Sequence, residues 1–172
     1  RDLQKVNTEL KSIFDAETHV SIIGTDMNGI ITHFSRGAEI LLGYKANEMI
    51  GVCSPVVIHD KAEIDARSKE LSAQLKREIR GFEVFVALAK TRNFESREWT
   101  YVRKDGSRLP VQLVVSITQD ETGNIKGYLG IATDITERKN AEEVYKNNAI
   151  LQSRNKEMEE FAYIASHDLQ EP

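Results

Sequence analysis

Histidine and cysteine are the side chains best able to carry protons, bind metals or attack electrophiles near neutral pH. The sequence holds four of the first, His19, His33, His59 and His167, and one of the second, Cys53. A single cysteine rules out an internal disulfide and any multi-cysteine metal centre. No cluster of His, Cys and carboxylates has metal-ligand spacing. No Ser, His and acid arrangement and no pair of carboxylates stands out for hydrolysis. There is no Gly-x-x-x-x-Gly-Lys-Ser/Thr loop and no glycine-rich nucleotide fingerprint, so an independent nucleotide enzyme has no support. What is left is His167, with Asp168 beside it, and His59 in Ile58-His59-Asp60. By composition alone His167 is a surface histidine. His19 precedes a strand and His33 ends one, which suits surface or hydrogen-bonded structural roles.

The elements that must position these residues follow from periodicity. Leu3, Val6, Leu10 and Ile13 form one apolar stripe on a short N-terminal helix, which either lies on its own domain or enters from a coiled coil. Val20–Thr25 and Ile30–Phe34 are short strands, with Asn28-Gly29 between them as a hairpin signal. Ser35 caps a helix over 38–42 that Gly43 closes, and 47–51 is one further turn. From Pro55 to about Lys90 the pattern is mostly helical, with Ile64, Leu71, Leu75 and Ile79 as the apolar side. Within it, 82–89 is ambiguous between helix and strand. Strands are predicted over 97–103 and 125–134. Between them Leu109, Val111, Leu113, Val115 and Ile117 alternate strictly, as a strand with one buried face does. The expected fold is α+β: a five-stranded antiparallel sheet with helices on one face.

After Thr136 there is no Gly or Pro until Pro172. Ala141, Val144, Asn148, Leu151, Asn155, Met158, Ala162, Ala165 and Leu169 recur three and four apart. One continuous helix of about 50 Å follows at ~1.5 Å per residue. Its stripe needs a partner, and a parallel second copy is the simplest, with Asn148 and Asn155 fixing register. With Ala162 and Ala165 in the seam, His167 falls on the outer face of that helix.

The chain has 172 residues, enough for one domain and an extension. Its 40% hydrophobic and 29% charged residues suit a globular protein. A net charge of −4 without a basic run argues against nucleic-acid binding. No window approaches the roughly 18 apolar residues of a membrane span, and the first residues are not a signal peptide. The expected location is cytoplasmic. The start at Arg1 and the end at Glu171-Pro172 lead us to expect a piece of a longer protein, whose other parts could include a membrane segment.

Several segments, in this order, resemble a PAS domain. They are 26–31, the short helix ending Leu42-Gly43-Tyr44, 47–51, the run 97–107 from Arg97-Glu98-Trp99 to Asp105-Gly106-Ser107, and 127–139 with Asp134-Ile135-Thr136. Residues 161–172 resemble the phospho-acceptor helix of sensor histidine kinases. The implied organisation is an N-terminal helix over 1–14, a PAS sensor over 15–136, a coiled-coil signalling helix over 137–160 and a truncated phospho-acceptor helix over 161–172. The resemblance implies that His167 accepts phosphate and that Asp168 is the general base or orienting acid. It also implies that Asp134, Ile135 and Thr136 couple sensor to helix. Four residues after the histidine the family often has Thr or Asn, which positions water for phosphatase chemistry. Glu171 stands there and argues against that activity.

The function so implied is signal input and phosphate acceptance within a two-component sensor histidine kinase. The fragment would be inactive alone, because ATP would bind a domain carried only by the full-length protein. Expected partners are a second copy of the chain, a response regulator and that ATP-binding domain. The alternatives are a PAS dimerisation module without a ligand, or a haem- or flavin-binding sensor. His59 is the single haem-ligand candidate, and a capping or surface role is the plainer expectation for it. Cys53, in Val52-Cys53-Ser54-Pro55, lacks the Asn-Cys-Arg-Phe-like surroundings of a photosensor cysteine and reads as a small apolar residue. Trp99 and Tyr101 share a strand face and are expected to pack. The expected cofactor is none, or a small organic ligand.

Overall fold

The computed structural model describes Gln4 and residues 19–170, so the expected N-terminal helix and Glu171 lie outside the described residues. The chain divides into two units, one ending at Ile135 and the other starting at Thr136.

The first unit is built on a five-stranded sheet in the order β2-β1-β5-β4-β3, antiparallel throughout. The strands are β1 (Val20–Asp26), β2 (Ile31–Phe34), β3 (Phe94–Val102), β4 (Arg108–Gln119) and β5 (Ile125–Asp134). The strict alternation in β4 has the predicted effect: Leu109, Val111, Leu113 and Val115 are buried and their neighbours are not. The β1–β2 turn is built differently from a two-residue hairpin. Asp26 Oδ1 accepts from the Asn28 and Ile30 amides at 2.8 and 2.9 Å, and only Gly29 takes positive φ, at 82°.

Helix α1 (Arg36–Leu42) starts at Ser35, whose Oγ accepts from the Ala38 amide at 3.2 Å and from the Ile22 amide at 3.0 Å. The cap therefore also ties the helix to β1. Gly43, at φ 77°, ends it. After α2 (Ala46–Met49) and a 3-10 turn (Pro55–Ile58), Asp60 caps α3 (Lys61–Leu75) by accepting from the Glu63 amide at 3.1 Å.

The region read as one helical stretch is interrupted. Helix α3 stops at Lys76, which adopts φ 53°. Ile79 is buried, yet it lies in the following loop, where its amide donates to Ser72 Oγ at 2.9 Å and its carbonyl accepts from Ser68. Arg67 takes a place on the buried side of α3 instead, paired with Glu70 at 2.8 Å and with Glu95. The ambiguous run 82–89 forms two single helical turns, α4 (Glu83–Val86) and α5 (Ala89–Arg92). Every residue from Val84 to Ala89 is buried, so the run carries no amphipathic period to read.

One glycine is required by a backbone approach. A Cβ on Gly127 would lie 2.0 Å from the Thr25 carbonyl oxygen of the neighbouring strand. Neither backbone can yield without breaking the β1–β5 register, in which Asp26 faces Gly127. Gly127→Ala is expected to destabilise the unit by roughly 2–4 kcal/mol, read as a shift in the urea midpoint. An unchanged midpoint would contradict the packing of β1 on β5.

The second unit is α6 (Thr136–Asp168), 33 residues without a break. Val144, Leu151 and Met158, seven residues apart, are 59%, 57% and 72% exposed. Among the described residues no helix is long and apolar enough to cross a membrane.

Candidate functional site

Two places in the described residues carry chemistry, one in each unit. In the first, the edge strand β3 holds the segment before α3 against the sheet. The Thr100 carbonyl accepts from the Asp60 amide at 2.9 Å, and its amide donates to Glu63 Oε2 at 2.7 Å. A single bridge joins His59 to Tyr101. These contacts carry His59 inward. It is buried, against the expectation of a capping or surface role, and the cap is its neighbour Asp60. The Glu63 amide first, and then Arg108 at 2.6 Å, hold the Asp60 carboxyl below the ordinary carboxylate range.

Aromatic rings surround the imidazole. Its centroid lies 4.2 Å from Phe85, and Trp99 and Tyr101 meet it edge-on at 5.4 and 4.8 Å. The expected packing role of Trp99 and Tyr101 is thus met on this ring. His59 Nδ1 is 2.7 Å from the Pro55 carbonyl oxygen. A carbonyl only accepts, so Nδ1 carries the hydrogen and donates. Burial lowers the pKa of the ring to about 4, with the Pro55 carbonyl pulling the other way. At neutral pH Nε2 is therefore a bare acceptor, and it has no hydrogen-bond partner in the protein. Burial also pushes the Tyr101 hydroxyl up, so it stays protonated.

His59 lines a cavity of about 30 Å³ between sheet and helices, with Thr25, Phe82, Phe85, Leu113 and Tyr128 among the other walls. Thr25 Oγ1 and Tyr128 Oη are buried without partners too. The two residues face each other across β1 and β5. Among the described residues no group of three or more His, Cys, Asp or Glu could hold a metal ion.

The second place is the end of α6. His167 and Asp168 are exposed, at 60% and 76% of their side chains, with Nδ1 and Oδ1 3.9 Å apart. The ring of Tyr163, one turn earlier, lies 6.3 Å from the imidazole. The coupling residues stand at the other end. Strand β5 closes at Asp134, opposite Val111, and the Ile135 amide donates to the Pro110 carbonyl at 3.1 Å. Ile135 is buried, and Thr136 opens the helix.

Residues 19–137 match the PAS domain family. The chain belongs to this family. It is also 30% identical over 137 residues to Two-component system protein A of Emericella nidulans, covering 80% of this chain and 18% of that protein. The chain thus spans about a fifth of that curated relative. Among solved structures it resembles the PAS domain of a protein from Colwellia psychrerythraea, at 20% identity and TM-score 0.60, over 77% of this chain and 98% of that one. A Light-Oxygen-Voltage domain studied with a flavin analogue matches at 23% identity and TM-score 0.55, over 83% and 94%. These structural likenesses establish the PAS fold.

The walls of the cavity beside His59 decide whether a flavin or a haem fits there. About 30 Å³ is far below the roughly 300 Å³ at which pockets for drug-sized ligands begin. Phe82, Phe85 and Tyr128 fill the space with mutual ring contacts. Cys53 is not among the lining residues, and its Sγ points to the Glu48 carbonyl at 3.8 Å. The residues as arranged fit neither flavin nor haem.

Thr25 and Tyr128 escaped the sequence reading. Their signal was present: Tyr128, Gly130 and Ala132 alternate on one face of β5, a large polar ring beside two residues too small to fill the space next to it. Neither residue type marks a site without knowledge of what it faces.

Proposed function

We propose that the chain is the signal-input and phospho-acceptor part of a two-component sensor histidine kinase. Its PAS unit would bias a dimeric helix that presents His167. The supporting observation is the end of α6, where an exposed imidazole with a carboxylate beside it follows a PAS domain along one unbroken helix. The partial likeness to Two-component system protein A supports the same class. Asp168 would hold Nδ1–H, leaving Nε2 to attack the γ-phosphorus of ATP. An N–P bond forms, the bond from the γ-phosphorus to the bridging oxygen breaks, and ADP leaves.

The nucleotide would come with a domain outside this chain. A second copy would cover the stripe of Val144, Leu151 and Met158, which is exposed in α6 by itself. A response regulator would then take the phosphate. On this reading the domain division is a PAS sensor to Thr136, a signalling helix over 137–160 and the start of the phospho-acceptor helix from 161.

The chain incubated with ATP alone is expected to stay unlabelled. Supplied with a complete sensor histidine kinase in trans, it is expected to acquire acid-labile phosphate on His167, located by mass spectrometry. Label at another residue, or none with any complete kinase of the class, would overturn the assignment.

A further inference from the structure

Strand β3 is an edge of the sheet, with β4 on its one paired side. Thr100 faces Pro110, which has no N–H to offer, and turns its own amide and carbonyl outwards to Glu63 and Asp60. Backbone direction alternates along an antiparallel strand, so Ser96 and Phe94 point their N–H and C=O to the same outer side. Among the described residues no backbone partner meets them there, and both residues are exposed. The edge is thus closed at Thr100 and open from Phe94 to Ser96.

This open stretch walls a cleft of about 530 Å³, lined also by Arg67 of α3, Arg92 of α5, Glu95 and Arg97. The side chain of Arg67 is only 5% exposed. Its terminal nitrogens meet Glu70 and Glu95, while its Nε–H has no partner. Glu95 Oε2 is buried without a partner as well. The first needs an acceptor and the second a donor, and a simple anion supplies only the acceptor. Even with Glu70, which pairs with both Arg67 and Arg97, arginines outnumber carboxylates around the cleft. On the other face of β3, Phe94 is 58% exposed.

We propose that the open edge of β3 takes up an extended peptide segment of a partner protein as a sixth strand. The segment would alternate acidic or hydroxyl side chains with β-branched ones. Its backbone would pair with Phe94 and Ser96, the mode of recognition that exposed sheet edges offer. Side chains on the face of Glu95 and Arg97 would enter the cleft. There a carboxylate would accept from Arg67 Nε and Arg92, and a hydroxyl would donate to Glu95. The β-branched side chains would cover Phe94 on the other face. Inward charges on an edge strand commonly deter pairing; here the buried, unpaired atoms of Arg67 and Glu95 select for it.

The surface lies on the PAS unit, and its test does not depend on the fate of His167. The test uses the whole 172-residue chain labelled with nitrogen-15 and follows the amides of Ser96 and Arg97 by NMR. The probe is the peptide acetyl-Val-Thr-Val-Asp-Val-Thr-amide. It is expected to shift both amides saturably and to slow solvent exchange of the Ser96 amide at least tenfold. The same peptide with Asn for Asp is expected to bind about tenfold more weakly, the loss of one charge-assisted hydrogen bond. Ser96→Pro removes an N–H that faces outwards, a place where edge strands tolerate Pro. It is expected to abolish the response at Arg97. Arg92→Ala leaves the strand intact and is expected to raise the midpoint about tenfold. No response to the peptide, equal midpoints for the Asp and Asn forms, or a midpoint unchanged in Arg92→Ala would overturn the proposal. So would the same midpoint for acetate alone, which would make the cleft an anion pocket and not a strand-pairing edge.

Discussion

The His167→Gln variant is expected to lose all phosphate labelling in trans, a fall of at least about 10³-fold, with its circular dichroism and melting unchanged. Gln keeps the size and polarity of the side chain and removes the nucleophilic nitrogen. The residue is 60% exposed on α6, so the change costs no packing. Asp168→Asn is expected to slow labelling by about 10²-fold, the lower end of what a positioned acid–base group supplies. The gap of 3.9 Å between Nδ1 and Oδ1 is longer than a hydrogen bond and would close when the nucleotide domain docks. Single-turnover labelling rates of the two variants decide the point. Undiminished labelling of His167→Gln would move the acceptor to another residue. An Asp168→Asn rate equal to wild type would remove Asp168 from the mechanism.

The second large effect is on stability and concerns His59. Its pKa is lowered to about 4 in the folded chain, while in the unfolded chain it titrates near the ordinary histidine value of 6.5. Between these values the unfolded chain binds a proton that the folded chain refuses. Stability is therefore complete above about pH 6.5 and falls as the pH drops towards 4, by about 3 kcal/mol in all. No charged side chain stands among the rings around the imidazole to soften the effect, since its neighbours are Phe85, Trp99 and Tyr101. The carboxyls of Glu48, Asp60, Glu70, Asp105 and Asp120 are held low by their own partners. They add acid sensitivity at lower pH, because each loses its stabilising contacts as it becomes protonated. His59→Gln, which cannot titrate, is expected to flatten the slope between pH 6.5 and 4.5 and to leave the steeper acid limb. Urea unfolding of both proteins at half-unit steps measures this. Parallel slopes would mean that the buried ring is not the group responsible.

These two histidines also show what a sequence displays and what it hides. The role of His167 as phosphate acceptor rests on the resemblance alone, whereas its exposed position on a long helix was legible because what places it is local, a run without Gly or Pro and a three–four apolar spacing. The sheet was legible for the same reason, above all β4, where burial on one face enforces alternation along the chain. His59 was not. Its position depends on Asp60 and Glu63 engaging Thr100, a residue 37 positions beyond Glu63 on another strand. No local pattern encodes such a contact. Thr25 and Tyr128 were hidden in the same way, since their meaning lies in facing each other across β1 and β5 and in lining one cavity with His59. The stretch from Lys76 to Asn93 failed for a different reason. Ser68 and Ser72 fold Ile79 back onto α3, and burial on all sides of 84–89 erases the period that distinguishes helix from strand.

We propose that the PAS sheet is coupled to the helix through the end of β5. The most direct test replaces Asp134 and Thr136 by Ala, singly, in the full-length kinase and measures the autophosphorylation rate alongside the melting of the PAS unit. At least a severalfold change in rate, or loss of its response to signal, is expected with the melting temperature unaltered. A rate and a signal response equal to wild type in both variants would contradict it.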